Sequence, residues 1–511
     1  MSMVSKINSC ALTGINGRIV EVETDISNGI PAFDIVGLGD TAVRESRERV
    51  RAAIKNSGEE FPVRRITINL APANLRKEGS VYDVSIAIGI LSAKGAVNDN
   101  ELNSYMFLGE LSLDGEVKPV TGILPMVSCA YENGIKNIFV PEANADEAAV
   151  IKGINILPVK TLMSIIEHLN GKKTIVPYMI DIDSLLISNA RASADFSDVK
   201  GQASAKRAME VAACGAHNLL MIGSPGSGKT MLAKRLPTIL PNMTFEEAIE
   251  VTKIYSVSGL LPQKASLITA RPFRSPHHTI SDVSLAGGGK HIKPGEVSLA
   301  HYGVLFLDEF PEFGKAAAEV LRQPLEDGEI CISRANSSVV YPAKATLICA
   351  ANPCKCGFYL EPSDKCKCTP RMVRQYLGKL SQPLLDRIDI HTEIHSLGYD
   401  ELAARESEES SADIRERVNK ARRVQLERYR GMGIYSNSEL SASLIKKYCE
   451  LDRYTSALLK RAFEKLGLSA RAHDRILKVA RTIADMEKSE GIKSDHIAEA
   501  IQYRSLDRIR V

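Results

Sequence analysis

A glycine-rich run that ends in lysine and threonine carries the clearest chemistry in the chain. It directly follows the apolar residues 217–222 and consists of Gly223, Ser224, Pro225, Gly226, Ser227, Gly228, Lys229 and Thr230. Glycines let backbone N–H groups turn toward phosphate oxygens, the lysine reaches the β- and γ-phosphates, and the threonine hydroxyl holds Mg²⁺. The run therefore predicts a phosphate-binding loop between a strand and a helix, with an ordinary glycine-rich turn as the alternative.

Polar side chains also follow two apolar runs further along the chain. Asp308 and Glu309 come after residues 304–307, which predict a buried parallel strand. We expect Asp308 to lie near Mg²⁺ and Glu309 to polarise the attacking water, because phosphoryl transfer depends on positioning and charge stabilisation. Asn352 ends the next apolar run and could orient that water, although a turn-forming asparagine before Pro353 is the alternative.

Two arginines beyond these strands could complete such a site. Arg387 is placed where an arginine could stabilise the transferring phosphate of a neighbouring subunit, or it could pair with Asp386 or Asp389 at the surface. Arg471 opens a helix and could contact the nucleotide, and we prefer it to Arg475. Spacing alone does not separate these two arginines from a solvated basic face.

Four of the ten cysteines form the pattern C-x-C-x₉-C-x-C just after Asn352. They are Cys354, Cys356, Cys366 and Cys368, in a loop over residues 354–368. Four thiolates so close in sequence predict one tetrahedral metal site, and Zn²⁺ is the expected metal. The one-residue spacing departs from the usual two-residue pairs of zinc ribbons, so free thiols and an iron–sulfur cluster are the alternatives.

The elements that position these residues divide the chain into four parts. Residues 1–170 alternate strand and helix patterns and predict an α/β domain, followed by a polar linker over 171–196. Residues 197–395 predict the nucleotide-binding core. Residues 396–511 predict successive amphipathic helices.

Composition fits an ordinary globular protein of about three domains. The 511 residues are 44% hydrophobic and 25% charged, and no apolar run is long enough for a membrane helix. The absence of a secretory signal pattern and of a disulfide-like cysteine pattern favours the cytoplasm. Residues 412–511 hold 22 Lys and Arg against 14 Asp and Glu, which offers mild support for a polyanionic partner.

The order of these motifs resembles that of an AAA+ ATPase. More narrowly, the chain is similar to the magnesium-chelatase-like ComM/YifB family over essentially its whole length. The sequence segments that carry this similarity are Arg271-Pro-Phe-Arg-Ser-Pro-His-His-Thr-Ile-Ser-Asp282, Gly287-Gly-Gly289 and Pro294-Gly-Glu-Val-Ser-Leu-Ala300. The resemblance implies an AAA+ core with ATP and Mg²⁺ as cofactors, a C-terminal helical lid and assembly into a ring, expected to be a hexamer.

A second insertion reads independently as a β-hairpin over residues 330–341. The resemblance implies that such hairpins enter a central pore, where Lys290, Lys293 and Arg334 are candidate contacts to a DNA backbone. The alternative is that these are exposed loop charges. His277 and His278 are interpreted as packing or hydrogen-bonding residues rather than metal ligands.

Residues 1–170 resemble the Lon-protease-like fold through Lys77-Glu-Gly79 and the segment Leu108–Gly122. Matching these motifs places the family's catalytic serine on Val81 and its lysine on Leu124, so serine–lysine proteolysis is unavailable. Ser80 lies one residue away and is the alternative register. The domain is expected to act as a scaffold.

The resemblance implies an ATP-driven ring that moves along DNA and extends branch migration when transforming DNA is integrated. One alternative is a chelatase-like ATPase that remodels a protein or metal-insertion complex without DNA. Another is an assembly switch with slow turnover, but Glu309 and Arg387 favour hydrolysis.

Overall fold

The computed structural model describes residues 3–98, 101–182, 194–262, 265–289, 292–334, 337–361, 365–398 and 408–504. The chain divides into two compact units. The first unit comprises Met1–Ser188 and Phe245–Thr269, and the second comprises Asn189–Thr244 and Ala270–Val511. Within the described ranges, no helix has both the length and the hydropathy that crossing a membrane requires.

The first unit is built on a seven-stranded mixed sheet and one separate pair of short strands. The nine strands of the unit are, in chain order, β1 (Met3–Thr13), β2 (Asn16–Ser27), β3 (Ala32–Val36), β4 (Arg65–Ala71), β5 (Tyr105–Phe107), β6 (Glu110–Leu111), β7 (Val117–Lys118), β8 (Asn137–Pro141) and β9 (Asn155–Val159). The sheet order is β3-β4-β2-β1-β5-β8-β9, and β6 pairs separately with β7. Inward side chains of β2 alternate with more exposed ones, as expected for a half-buried strand.

Helices cover the apolar side of this sheet. They are Thr41–Asn56, Asp83–Lys94, Ile123–Glu132, Ala145–Ala148 and Leu162–Leu169. The first begins at an Asp40 cap, whose side chain accepts a 2.9 Å hydrogen bond from the Val43 amide. Asp83–Lys94 is buried on nearly every side, because it packs against both β1 and β2.

A helix from the middle of the chain completes the first unit. Phe245–Ser258 packs against Ile123–Glu132, and Lys253 Nζ donates a 2.9 Å hydrogen bond to Ser128 Oγ. The Ser256 hydroxyl donates to the buried Glu147 carboxylate, which also accepts the Leu124 amide at 2.9 Å. The segment 245–269 lies inside the range expected for the nucleotide-binding core, yet it groups with the first unit.

The second unit is built on a five-stranded parallel sheet. Its strands are β10 (Leu219–Gly223), β11 (Phe273–Arg274), β14 (Val304–Leu307), β17 (Thr346–Ala351) and β18 (Ile390–Ile394). Two antiparallel pairs lie outside this sheet. They are β12 (Gly287–Gly288) with β13 (Lys293–Pro294), and β15 (Glu329–Arg334) with β16 (Ser337–Pro342). The sheet order is β11-β14-β17-β10-β18. The hairpin predicted over residues 330–341 is thus confirmed.

Both faces of this sheet are buried, which explains why its strands are apolar runs. Alternate residues of β10, β14 and β17 belong to two cores, one of which they share with the C-terminal helices. The helices of the unit are Ala203–Gly215, Lys229–Arg235, Asp282–Ala286, Glu296–Leu299, Lys315–Val320, Arg322–Asp327, Pro370–Leu377, Gln382–Leu385, Ser411–Arg428, Ala442–Tyr448, Arg453–Leu466, Ala470–Met486 and Ser494–Gln502. The predicted α/β fold class, with a parallel core and helical C-terminal end, is confirmed.

Candidate active site

The glycine-rich run forms a loop between β10 and the helix that begins at Lys229. Gly226 and Gly228 have φ values of +79° and +95°, a conformation that L side chains rarely adopt. The Ser227 hydroxyl is buried and has no hydrogen-bond partner among the described residues. A helix N-terminus, left-handed glycines and an orphaned hydroxyl together fit the binding of phosphate.

Lys229 is held inside the loop by three oxygen atoms. Its Nζ donates to the Gly223 carbonyl at 2.7 Å, to the Ser224 carbonyl at 2.8 Å and to Asn352 Oδ1 at 3.3 Å. Burial lowers the pKa of the Lys229 ammonium, and the nearby carboxylates of Asp308 and Glu309 oppose that shift. The end of β17 therefore brings Asn352 to the lysine, and its water-orienting role stays a prediction.

The side chains of Thr230 and Asp308 are in contact. Thr230 follows β10 and the phosphate loop, Asp308 follows β14, and β17 lies between these two strands. The Thr230 hydroxyl donates a 2.7 Å hydrogen bond to Asp308 Oδ2. A hydroxyl and a carboxylate beside a phosphate loop are the oxygen ligands that Mg²⁺ takes in nucleotide hydrolases. The residues present thus fit the predicted Mg²⁺ site.

Glu309 follows directly and has a left-handed backbone, with φ of +51°. Its Oε2 lies 3.4 Å from Nδ1 of His278. The His277 ring instead lies 2.9 Å from the Thr279 hydroxyl. The contact of His278 with the predicted catalytic carboxylate is not evident from the sequence, because the two residues are 31 positions apart.

Arg387 has a different partner from those considered from sequence. Its Nη2 forms an ion pair with Glu326 Oε1, and its Nη1 donates to the Pro383 carbonyl. The surface pairing with Asp386 or Asp389 is wrong, because the Arg387 side chain is only 7% exposed and turns toward the helix Arg322–Asp327. A role toward a neighbouring subunit stays a prediction.

Arg471 and Arg475 are separated by their surroundings. Arg471 Nη2 lies 3.5 Å from Glu326 Oε1, so one carboxylate faces both Arg387 and Arg471. Arg475 Nη1 instead lies 2.7 Å from the buried Asp389 carboxylate. Arg475 is thus committed to an internal ion pair, which supports the preference for Arg471 as the arginine available to a nucleotide. Nothing in the local sequence pointed to Glu326.

The four cysteines form one cluster. Their Sγ atoms lie within 4.8 Å of one another, with separations of 3.3 Å for Cys354–Cys356, 3.9 Å for Cys354–Cys366, 3.6 Å for Cys356–Cys366 and 3.5 Å for Cys356–Cys368. A tetrahedral site with Zn–S bonds of about 2.3 Å has sulfur separations of about 3.8 Å. The cluster therefore fits the tetrathiolate geometry predicted for it.

Two of the three DNA-contact candidates fall on described backbone. Lys293 is exposed in β13, and Arg334 ends β15 opposite Ser337. Lys290 lies outside the described residues. Tyr341 of the second hairpin donates a 2.9 Å hydrogen bond to the Ile292 carbonyl, so the two hairpins are joined.

The Lon-like positions lie in the first unit. Val81 and Leu124, which occupy the serine and lysine positions, are both buried in its core. The Ser80 hydroxyl donates to the Glu110 carboxylate. This partner is a carboxylate, whereas the serine–lysine pair of the Lon-like proteases activates its serine with a lysine amine.

Comparison with known proteins gives the same picture. Family models described as magnesium chelatase subunit ChlI match residues 195–402 and 22–144, and the model of its C-terminal part matches residues 408–504. The competence protein ComM of Haemophilus influenzae is 41% identical over 508 residues, which is 98% of each chain. YifB of Escherichia coli is 42% identical over 511 residues, covering 99% of this chain and 98% of YifB.

A partial match also exists to Lon protease 2 of Bacillus subtilis, at 27% identity over 202 residues, or 35% of this chain and 36% of the protease. The parallel-sheet core and the helical C-terminal end are consistent with the family that the two full-length matches and the three chelatase regions show. The chain therefore belongs to the ComM/YifB family of magnesium-chelatase-like AAA+ ATPases.

Proposed function

We propose that this protein is a ring-forming, ATP-hydrolysing motor that acts on DNA and drives branch migration, as inferred for ComM-like proteins. The observation that carries the DNA part is the joining of two insertion hairpins. A Cβ built on Gly287 of the first would lie 2.8 Å from Ile332 Cδ1 of the second, and Tyr341 binds the Ile292 carbonyl. This joined element carries two basic residues, the exposed Lys293 and Arg334 at the end of β15, and positive charge is what a nucleic-acid backbone attracts.

The hydrolytic step follows from the geometry of the second unit. Lys229 holds the β- and γ-phosphates, Asn352 shares that lysine, and Glu309 orients the attacking water. Thr230 and Asp308 would hold Mg²⁺, which when bound would supply positive charge to the phosphate oxygens. We propose that Arg387 reaches the phosphate of an adjacent subunit in an assembled ring, expected to be a hexamer, which requires it to leave Glu326.

The central experiment measures ATP turnover with and without a four-way DNA junction. We expect the junction to stimulate turnover severalfold, and Lys229→Ala and Glu309→Gln to abolish it. Light scattering in saturating ATP with Glu309→Gln tests assembly at the same time. If Glu309→Gln stays monomeric in saturating ATP while the unsubstituted protein hydrolyses ATP at full rate, the ring is contradicted.

A double charge reversal in the hairpins, compared with a control reversal elsewhere, tests whether the hairpins contact DNA. Lys293→Glu combined with Arg334→Glu should weaken junction binding and lower the slope of log K against log salt by about two. Lys460→Glu is the control, because Lys460 is 76% exposed on a helix distant in sequence from the hairpins. Equal binding by the double variant and the control argues against the hairpins as the DNA contact.

The family models favour one further candidate, since they are described by a magnesium chelatase subunit. In that case the ATPase remodels a protein or metal-insertion complex. ATP turnover that DNA leaves unchanged and that a protein partner stimulates supports this second function.

A further inference from the structure

The loop that carries the four cysteines lies directly against the phosphate-binding loop. A Cβ built on Gly357 would lie 2.6 Å from Cγ of Pro225, so the backbone at Gly357 packs against the Pro225 ring with no space for a side chain. Gly357 has φ of +88°, and its amide donates a 3.0 Å hydrogen bond to the Cys354 carbonyl. The glycine is thus fixed between two cysteines on one side and the phosphate loop on the other.

A polar contact joins the same two loops at a second point. Ser224 Oγ lies 2.7 Å from Ser396 Oγ, and the Ser396 hydroxyl donates to the Glu361 carboxylate. Glu361 belongs to the stretch between the two cysteine pairs. Ser224 also supplies a carbonyl to Lys229 Nζ, at 2.8 Å. Through Ser396, the cysteine loop is therefore connected to Ser224, the residue whose carbonyl accepts a hydrogen bond from Lys229.

The cysteine loop is also continuous with the third lysine contact. Asn352, whose Oδ1 accepts from Lys229 at 3.3 Å, stands two residues before the buried Cys354. Cys354 is the first of the four clustered thiols. Three positions of the phosphate site, namely Ser224, Pro225 and Asn352, thus depend on how this one loop is held.

Charge at the cluster favours a bound divalent cation. Each cysteine pair encloses or adjoins lysines, namely Lys355, Lys365 and Lys367. Neighbouring cations favour the thiolate form, and four thiolates around one divalent ion leave a double negative charge that these lysines offset. The Lys365 ammonium also lies 5.7 Å from the Phe358 ring centre, which ties the second cysteine pair to the first.

We propose that the four cysteines bind one Zn²⁺ that braces the phosphate-binding loop, so that metal occupancy controls nucleotide affinity. The metal has a structural role here, because all four ligands are thiolates and leave no open position for chemistry. The proposal depends on nucleotide binding by the loop and is independent of DNA. Its failure is therefore distinguishable from failure of the proposed motor function.

The first test measures metal content and nucleotide binding on the full chain. We expect about one zinc per chain by mass spectrometry, and release of it by a thiol-binding mercurial together with about a tenfold loss of affinity for a fluorescent ADP analogue. Cys356→Ser with Cys368→Ser should lose both properties, and Cys331→Ser, which alters an exposed cysteine outside the cluster, should keep both. Iron in place of zinc, metal-free protein, or released zinc with unchanged ADP affinity overturns the proposal.

A second variant separates the brace from general unfolding. Gly357→Ala leaves all four thiols in place but forces a side chain into Pro225 at a strained backbone position. We expect this variant to retain its zinc and circular dichroism spectrum while its ADP affinity falls severalfold. Gly431→Ala is the matched control, because Gly431 also has a left-handed backbone, with φ of +77°, and nothing lies within 4 Å of the Cβ position there. Equal ADP affinity in the two variants overturns the brace.

Discussion

The Glu309 carboxylate lies 3.4 Å from Nδ1 of His278 and 57% of its own side chain is exposed. A carboxylate on a left-handed residue at the end of a strand has several rotamers available to it, and only some of these face the phosphate loop. The contact with the His278 imidazole restricts the rotamers that the Glu309 side chain can adopt. His278 is therefore a candidate positioning residue for the attacking water.

His278→Ala should lower kcat for ATP hydrolysis by about tenfold with a much smaller change in KM, because misplacement of the carboxylate affects the transition state more than ATP binding. Steady-state turnover over a range of ATP concentrations measures both values. His278→Asn, which keeps a hydrogen-bonding group, should recover part of the rate. An unchanged kcat in His278→Ala shows that the contact has no role in hydrolysis.

Two arginines four residues apart allow a sharp comparison of stability with activity. Arg475 pairs at 2.7 Å with the fully buried Asp389, whereas Arg471 is 59% exposed. Arg475→Ala leaves a buried carboxylate without its strongest partner and should lower the free energy of unfolding by about 3 kcal/mol. Arg471→Ala should change it by less than about 0.5 kcal/mol but reduce ATP turnover. Denaturant titration and an ATPase assay on both variants measure these effects. A larger loss of stability in Arg471→Ala than in Arg475→Ala would contradict the structural role of Arg475.

At the scale of elements, Glu326 joins three pieces of the second unit. It stands on the helix Arg322–Asp327 and faces Arg387 beyond Gln382–Leu385 as well as Arg471 at the start of Ala470–Met486. The Arg387 Nε atom is buried and has no hydrogen-bond partner among the described residues. The Arg387 guanidinium thus makes only some of the hydrogen bonds that it can donate in this position.

Glu326→Gln removes the charge that holds both arginines, and we expect ATP turnover per chain to rise about threefold at concentrations where subunits associate. Turnover measured across a protein dilution series reports this effect. Glu319→Gln, which alters an ion pair with Arg322 on neighbouring helices, is the control. A fall in turnover at every concentration would show that Glu326 supports the site rather than restrains Arg387.

The elements that were predictable from sequence are those whose determinants are local. The phosphate loop needs glycines at two left-handed positions and lysine at a helix start, and each requirement is written within eight residues. The hairpin β15–β16 and the strand before Asp308 follow from alternating and continuous apolar patterns in the same way. The Glu326 and His278 contacts join residues 61 and 31 positions from their partners, and no local pattern encodes such distances.

At the scale of the whole molecule, the helix Phe245–Ser258 is the element that sequence reasoning placed least well. Its buried residues include Glu247, Thr252 and Ser256 as well as Val251 and Ile254, so the sequence pattern does not say which core receives this helix. Tertiary packing decided that question through Glu147 and Ser128, which are more than 100 residues away.

A substitution within this helix should therefore act on the first unit. Ile254 is fully buried, and Ile254→Ala should cost about 3 kcal/mol and speed amide hydrogen exchange in Ile123–Glu132. Glu246→Ala, an exposed position of the same helix, is the control. Exchange that changes only in the β10–β18 sheet would contradict this assignment.

The helix Phe245–Ser258, which packs in the first unit, also constrains how the gene for such a chain can recombine. Its first unit is encoded by two stretches, residues 1–188 and 245–269, with part of the second unit written between them. A recombination event that exchanged only the N-terminal stretch would present that helix with a foreign surface. Residues 245–269 should accordingly evolve in step with a distant part of the gene rather than with the codons beside them.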